Sequence, residues 1–156
     1  MNYQIGDTSS DEKYQFFYKI FIKEASAVIF AFDITNKDSF NNVKDIIDKT
    51  LSYIKQSTIL LLVATKADLK EQIQVNLSEA RLLASDKSML FKEVSAKTGQ
   101  GIKDLFVDLG KIEMYRIIPC FILPYIPIPI PETTNAGDGL LVYPISRWHS
   151  LLLMVL

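Results

Sequence analysis

Two continuous apolar runs, each of strand length, constrain the fold of this chain more than any other feature. They are Ala27–Phe32 (AVIFAF) and Ile59–Ala64 (ILLLVA). Strands that are apolar on both faces are typical of a parallel sheet covered on both sides. Parallel neighbours need a crossover connection, which is usually a helix. The segment between the runs supplies one, because its apolar residues recur at helical spacing and Asp38 or Ser39 can cap it.

The alternation of helix and strand continues on both sides of this unit. Aromatic residues at helical spacing predict a helix over about residues 11–24, and Ser78 can cap a short helix that ends near Ser85. Leu90–Val94 is predicted to be a strand, and a last helix is predicted over Ile102–Ile112. The pattern therefore predicts an α/β fold with a mainly parallel sheet, whose ligands bind beyond the carboxyl ends of the strands.

Composition narrows the class of protein. The chain has 156 residues, is 49% hydrophobic and 22% charged, and this balance indicates one soluble globular domain. Seventeen basic residues against 18 acidic ones leave a net charge of -1, so nucleic-acid binding is not expected. The single cysteine, Cys120, excludes an internal disulfide or a cysteine-rich metal site. No cleavable signal pattern opens the chain, which favours a reducing, cytoplasmic compartment.

The sequence changes character near residue 116. All six prolines and only three charged residues follow that point. The apolar stretch Ile117–Pro131 is shorter than the roughly 20 residues of a membrane-spanning helix, and its prolines would break such a helix. We therefore do not expect a transmembrane segment there.

Polar residues follow the predicted strands where a ligand should bind. Asp33-Ile34-Thr35 follows the first apolar run, the segment Ala64–Leu69 (ATKADL) follows the second, and Ser95-Ala96-Lys97-Thr98-Gly99 begins 27 residues after Asp68. A lone Lys-x-Asp after a strand is usually a solvated loop, whereas the two loops together are far more specific. They resemble the guanine-reading loops of the Ras superfamily.

Other segments extend this resemblance. Phe30–Val43 (FAFDITNKDSFNNV) and Ile102–Phe106 (IKDLF) resemble the corresponding regions of Rab proteins, and the similarity runs from about Ile5 to Met114. It implies a small GTPase fold, with GTP or GDP and Mg²⁺ as ligands. The family's nucleotide-binding residues carry over to Thr65, Lys66, Asp68, Ser95, Ala96 and Lys97 for the guanine base, and to Asp7 for the phosphate and Mg²⁺ side.

The resemblance also implies a role for several of these side chains. Asp68 would accept hydrogen bonds from N1–H and the exocyclic amine of guanine, which adenine cannot supply. The methylene stem of Lys66 would lie along the base, and Lys97 would cover its other face. The backbone N–H of Ala96 would donate to the guanine carbonyl.

Departures from the family weaken the expected activity. Thr65 stands where the family has asparagine, Ser10 where it has the glycine of Asp-x-x-Gly, and Asp11 where it has the catalytic glutamine. No G-x-x-x-x-G-K-[ST] phosphate loop occurs in the sequence. We therefore assign no catalytic residue, do not expect hydrolysis by this chain alone, and expect guanine affinity near the millimolar range.

The missing phosphate loop affects the expected sheet. In the family a first strand lies between those corresponding to residues 2–6 and 27–32. The predicted fold is thus an incomplete P-loop-NTPase-like α/β sheet with flanking helices, lacking the P-loop strand and helix. Residues 139–143 or 151–156 have strand-like composition, but we do not expect them to fill the gap because of the nearby prolines. We predict a partial small-GTPase domain over 1–116 and a poorly ordered, non-family tail over 117–156.

Several functional interpretations remain open. The first is a Rab-like GTPase by descent, whose full-length relatives act as switches in vesicle traffic, which implies a cytoplasmic location at the periphery of endomembranes. The second is a nucleotide-independent interaction module that binds proteins through residues 11–24. The third is a non-functional fragment of a longer gene. An unrelated flavodoxin-like domain would have to match both loops by chance. The tail lacks the family's C-terminal cysteines, so membrane attachment is not predicted.

Overall fold

The computed structural model of the chain describes residues 3–7, 22–117 and 151–155, and these ranges form a parallel α/β fold. The strands are β1 (Tyr3–Asp7), β2 (Ala27–Asp33), β3 (Ile59–Thr65), β4 (Leu90–Glu93) and β5 (Leu151–Val155). The α-helices are α1 (Lys37–Leu51), α2 (Leu77–Asp86) and α3 (Ile102–Ile117); residues 22–24 are also helical and a short 3₁₀ helix spans Lys70–Gln72. All strand pairs are parallel, in the order β1–β5–β2–β3–β4. The predicted fold class is confirmed.

The β2–α1–β3 crossover forms where the apolar runs predict it. β2 and β3 pair along their whole length, from Ala27 opposite Ile59 to Asp33 opposite Thr65. The helix begins two residues earlier than predicted, because Asn36 is the N-cap: its side-chain oxygen accepts from the N–H groups of residues 38 and 39 at 2.9 and 3.2 Å. Asparagine has the extended backbone that a cap requires, so the helix start predicted at residues 38–39 was wrong.

The N-cap of α2 also lies two residues before the predicted one. The side-chain oxygen of Asn76 accepts from the N–H of Ser78 at 2.9 Å, which makes Asn76 the cap and places Ser78 inside the helix. The helix predicted over residues 11–24 falls largely outside the described residues, and only 22–24 can be seen to be helical.

Hydrophobic packing covers both faces of the sheet. On one face Phe30 and Phe32 of β2 pack with α1, and the rings of Phe32 and Phe40 lie 4.9 Å apart. On the other face Ile29 of β2 packs with Leu109 of α3. Burying one such side chain stabilises the fold by about 1.5–3 kcal/mol. Because β2 is buried from both sides, it forms the rigid centre from which the carboxyl-edge loops extend.

β5 fills the middle of the sheet. Its residues Leu151–Val155 pair one for one with β1, and its last three residues pair with Ala27–Ile29 of β2. Our expectation that residues 151–156 would not fill this gap was wrong. The prolines used against it, Pro127, Pro129 and Pro131, all precede the strand, and the segment LLLMV keeps every backbone donor that a central strand needs. Residues 139–143 lie outside the described residues.

β5 is also what joins β1 to the other strands. Among the described strands, β1 pairs with β5 and with none other. Tyr3 of β1 also contacts α3. Its hydroxyl donates to the Phe106 carbonyl at 2.8 Å, and the two rings lie edge to face with their centroids 5.5 Å apart. The predicted division at residue 116 stays a prediction, since residues 118–150 lie outside the described part of the chain.

Within residues 3–7, 22–117 and 151–155, no helix combines the length and the apolar character that crossing a membrane requires.

Candidate functional site

Three polar loops meet at the carboxyl edge of the sheet. Since β2, β3 and β4 are parallel neighbours, their last residues Asp33, Thr65 and Glu93 end at the same edge. Thr65 is itself a predicted site residue, and the loops that follow β3 and β4 contain the others: Lys66, Asp68, Ser95, Ala96 and Lys97. The structure therefore brings the two predicted guanine loops side by side.

The loop after β3 is pinned to both neighbouring strands. The Ile34 N–H donates to the Thr65 carbonyl at 3.3 Å, and the N–H of the buried Ala67 donates to the Val94 carbonyl at 3.0 Å. Between these anchors Lys66 adopts a left-handed backbone conformation with φ +60°. For a residue with a Cβ this conformation costs about 1 kcal/mol or more, which the surrounding hydrogen bonds must offset. The Lys66 side chain therefore starts from a fixed, strained turn.

Asp68 and Ser95 connect the two predicted guanine loops directly. The Ser95 hydroxyl donates to Oδ1 of Asp68 at 2.5 Å and itself accepts from the Thr98 N–H at 3.2 Å. Ser95 is fully buried. The Ser95 hydrogen bond lowers the pKa of Asp68, desolvation opposes the shift, and the charges of Lys97 and Lys66 add to the lowering. Asp68 is thus held as a carboxylate, an acceptor with about four lone-pair positions.

The second loop presents exposed donors above a tight turn. Ala96 and Lys97 are exposed, and within the described residues no acceptor takes the Ala96 N–H. The turn closes through a hydrogen bond from the Gly99 N–H to the Ser95 carbonyl at 2.9 Å. Gly101 has φ +72°, and a Cβ there would lie 2.5 Å from the last carbonyl of β4. Glycine is required at that position by both conformation and space.

Thr65 is oriented toward β2. Its hydroxyl donates to the Phe32 carbonyl at 2.8 Å, which uses its single proton. An asparagine amide at this position would have two N–H donors and a separate carbonyl acceptor. The expectation that Thr65 does not bridge the loops as asparagine does stays a prediction.

Asp33 is a further charged residue at this edge, and our set of predicted site residues omitted it. Its Oδ2 lies 2.5 Å from the Lys66 Nζ, and its Oδ1 accepts from the Thr35 N–H at 2.8 Å and the Thr35 hydroxyl at 2.7 Å. Burial opposes its ionisation, but the hydrogen bonds from Lys66 and Thr35 outweigh it and lower the pKa of Asp33. The sequence did contain one sign that Asp33 belongs to the site, because it directly follows the apolar run of a buried strand.

Asp7 is not brought to the base loops. It is the last residue of β1 and is paired with Val155 of β5. Val155 is paired in turn with Ile29 of β2, four positions before Asp33. With strands about 4.8 Å apart and a rise of about 3.3 Å per residue, Asp7 lies roughly 10 Å sideways and 13 Å back from the end of β2. Ser10 and Asp11 lie outside the described residues. Within the described ranges no group of three His, Cys, Asp or Glu side chains is arranged to hold a metal ion.

The two loops predicted to read guanine present an acceptor and a backbone donor on neighbouring segments. The Asp68 carboxylate accepts from Ser95, and the exposed Ala96 follows Ser95 directly in the chain. Lys66, two residues before Asp68, is paired with Asp33. A flat heterocycle that carries adjacent N–H donors and a neighbouring carbonyl would be complementary to this set.

Comparisons with known proteins place this geometry in a family context. A family model described as "Ras family" matches residues 1–114. The chain is 32% identical over 111 residues to the Ras-related protein RABF2a of Arabidopsis thaliana, which covers 71% of this chain and 56% of that protein. It is 31% identical over 114 residues to the Ras-related protein Rab-4 of Dictyostelium discoideum, which covers 73% of this chain and 56% of that protein. The chain thus spans little more than half the length of these relatives.

Proposed function

The chain belongs to the Ras family as a Rab-like small GTPase, and we propose that its carboxyl-edge loops bind guanine nucleotides through the guanine base. The observation that carries this proposal is the hydrogen bond between Ser95 and Asp68. It joins two loops 27 residues apart and leaves a shared carboxylate, flanked by Lys66 and the Ala96 N–H, at the ligand-binding edge of a parallel sheet.

Guanine fits this arrangement better than adenine. The Asp68 carboxylate accepts from guanine N1–H and its exocyclic amine, and the Ala96 N–H donates to the guanine carbonyl. Adenine has an acceptor at N1 and an amine in place of the carbonyl, so both contacts would be lost and polar groups left unpaired. The exposed stems of Lys66 and Lys97 are available to lie along the two ring faces.

The phosphate side is much less complete than the base side. Within the described residues the family's Mg²⁺ and phosphate positions are represented by Asp7 alone, an exposed carboxylate. Mg²⁺ needs near-octahedral oxygen coordination, which one distant carboxylate does not provide. The described residues therefore do not fit a Mg²⁺–triphosphate group, and we assign no hydrolytic step to this chain.

The expected affinity follows from the number of base contacts. A few net hydrogen bonds at about 1 kcal/mol each, set against the cost of association, leave binding in the millimolar range, near about -4 kcal/mol. Within this proposal the chain keeps the base recognition of the vesicle-traffic switches that it resembles, at the cytoplasmic face of endomembranes. The switch itself would require the phosphate contacts that these residues lack.

An NMR titration of the full chain tests the proposal at the ligand concentrations that it needs. Guanosine and GDP should both shift the amides of residues 66–68 and 95–97, whereas adenosine at the same concentration should leave them unchanged. Equal shifts with guanosine and adenosine would refute guanine recognition. Sub-micromolar GDP binding would instead refute the statement that the phosphate side is incomplete.

A second function, a nucleotide-independent interaction module, is favoured by one observation. β5 makes the sheet continuous across β1, β5 and β2 through strand pairing. Such a module would bind protein partners through residues 11–24, of which the structure describes only 22–24. Partner capture that GDP, GTP and a metal chelator leave unchanged would support the module, and capture that depends on the nucleotide would support a switch.

A further inference from the structure

The Asp33 carboxylate is fixed from two sides at the carboxyl end of β2. Lys66 occupies Oδ2 at 2.5 Å, and the Thr35 N–H and hydroxyl occupy Oδ1 at 2.8 and 2.7 Å. The backbone of Asp33 is held as well, because its N–H donates to the Ser39 hydroxyl at 3.0 Å in the first turn of α1. The side chain is 20% exposed. Asp33 is therefore a rigid anion beside a loop that it does not belong to.

The Lys66 side chain can hold a fixed position only if an anion such as Asp33 pairs with its ammonium group. Its side chain is 55% exposed and has four rotatable bonds, so an unpaired lysine here would sample many conformations in water. Its backbone is already fixed at φ +60° by the hydrogen bonds of its neighbours. With the backbone and the ammonium both held, the methylene stem between them has little freedom left.

We propose that Asp33 is a positioning residue for base recognition: by pairing with the Lys66 ammonium it keeps the lysine stem in place beside the Asp68 carboxylate. This inference rests on the proposed guanine binding. It also specifies the ligand chemistry, because an ammonium paired with Asp33 has much of its charge neutralised. The site accordingly takes the uncharged guanine nucleoside about as well as the diphosphate.

Asp33→Asn separates this role from a structural one. The amide oxygen can still accept both hydrogen bonds from Thr35, whereas the charge that holds Lys66 is removed. We expect guanosine affinity to fall about two- to fivefold, the range for losing one partly exposed ion pair. The ratio of GDP to guanosine affinity should rise at the same time, because the ammonium is now unpaired and attracts phosphate. A purely structural role for Asp33 would weaken both ligands equally.

Asp48→Asn is the matched control. It removes another surface ion pair, Asp48–Lys87 at 2.7 Å, which joins α1 to the end of α2. It should leave the affinity for guanosine and the GDP-to-guanosine ratio at the wild-type values. Asp33→Glu keeps the charge and should restore part of the loss seen with Asp33→Asn.

A measurement without ligand separates failure of this inference from failure of the proposed function. In the full chain, the ¹³Cε and ¹Hε resonances of Lys66 should be shifted and broad in the wild type, and should move to the position of a solvated lysine in Asp33→Asn. Unchanged Lys66 resonances would overturn the positioning role. If the Lys66 resonances do change in Asp33→Asn but the wild-type chain binds no guanosine, the ion pair is established. Guanine binding is then overturned, and with it the role of Asp33 in recognition.

Discussion

Proline in place of Leu153 tests whether β5 holds β1 in the sheet. Leu153 is the middle residue of β5 and is paired with Ile5 on one side and Ala27 on the other. Proline has no N–H, so a strand paired on both sides loses one ladder hydrogen bond wherever proline is placed inside it.

The expected cost follows from the hydrogen bond that is lost. A lost ladder bond contributes about 1 kcal/mol, and the acceptor left unpaired within the sheet adds about 1–3 kcal/mol. The lower end of this range, about 2 kcal/mol, corresponds to roughly 30-fold faster opening of the strand pair. Since β1 has no other strand partner among the described residues, its amides should lose protection together with those of β5.

Hydrogen exchange followed by NMR or mass spectrometry measures this directly. In Leu153→Pro the amides of β1 should exchange at least roughly 30-fold faster, whereas those in β3 and β4 should change much less. Leu153→Ala is the control, because it shortens the side chain and keeps the N–H. The account of β5 as the central strand would be refuted if β1 kept its wild-type protection in Leu153→Pro, or if both variants lost it equally.

Three further predictions concern the loops and β1. Gly101→Ala should lower the free energy of unfolding, measured by urea denaturation, by about 2–3 kcal/mol, because the residue has a positive φ and its Cβ would clash with the last carbonyl of β4. Gly99→Ala should lower it by only about 1 kcal/mol, because Gly99 has φ +78° but open space around it. Tyr3→Phe should lose about 1 kcal/mol with its hydrogen bond, measured in the same way. The pKa values of Asp33 and Asp68 are lowered, so their stabilising contribution is present above the ordinary value of 3.8 and is lost as the pH falls through the lowered values. NMR pH titration should find both carboxyl groups more than half ionised at pH 3.8.

The sequence predicted the centre of the fold because the signals there are local. β2 and β3 are apolar on both faces, and the helical spacing between them is unambiguous, so the β2–α1–β3 unit follows from periodicity alone. The two guanine loops followed from resemblance, and the structure places Asp68 and Ser95 in contact at 2.5 Å. Whether these residues bind guanine stays a prediction.

The features that the sequence did not predict depend on distant or backbone-specific contacts. Pairing of Leu153 with Ile5 joins residues from opposite ends of the chain, and an unbroken apolar run such as LLLMV carries no alternation that would indicate its register. The Asp33–Lys66 ion pair joins the end of β2 to the loop after β3, and Lys66 has a left-handed backbone that its residue type does not predict. The helix starts were displaced because asparagine, aspartate and serine all favour N-caps and stood close together.

Replacing Asp68 by asparagine tests guanine recognition most directly. The amide oxygen can still accept from Ser95, so the contact between the loops is kept, while the group that faces the base changes from an acceptor to an N–H₂ donor. By NMR titration of the full chain, the wild type should bind guanosine and not xanthosine, which carries a carbonyl where guanine has its amine. Asp68→Asn should lose guanosine and bind xanthosine instead. If guanosine shifted the same amides equally in both proteins, Asp68 would not read the base, and the proposed site would be wrong.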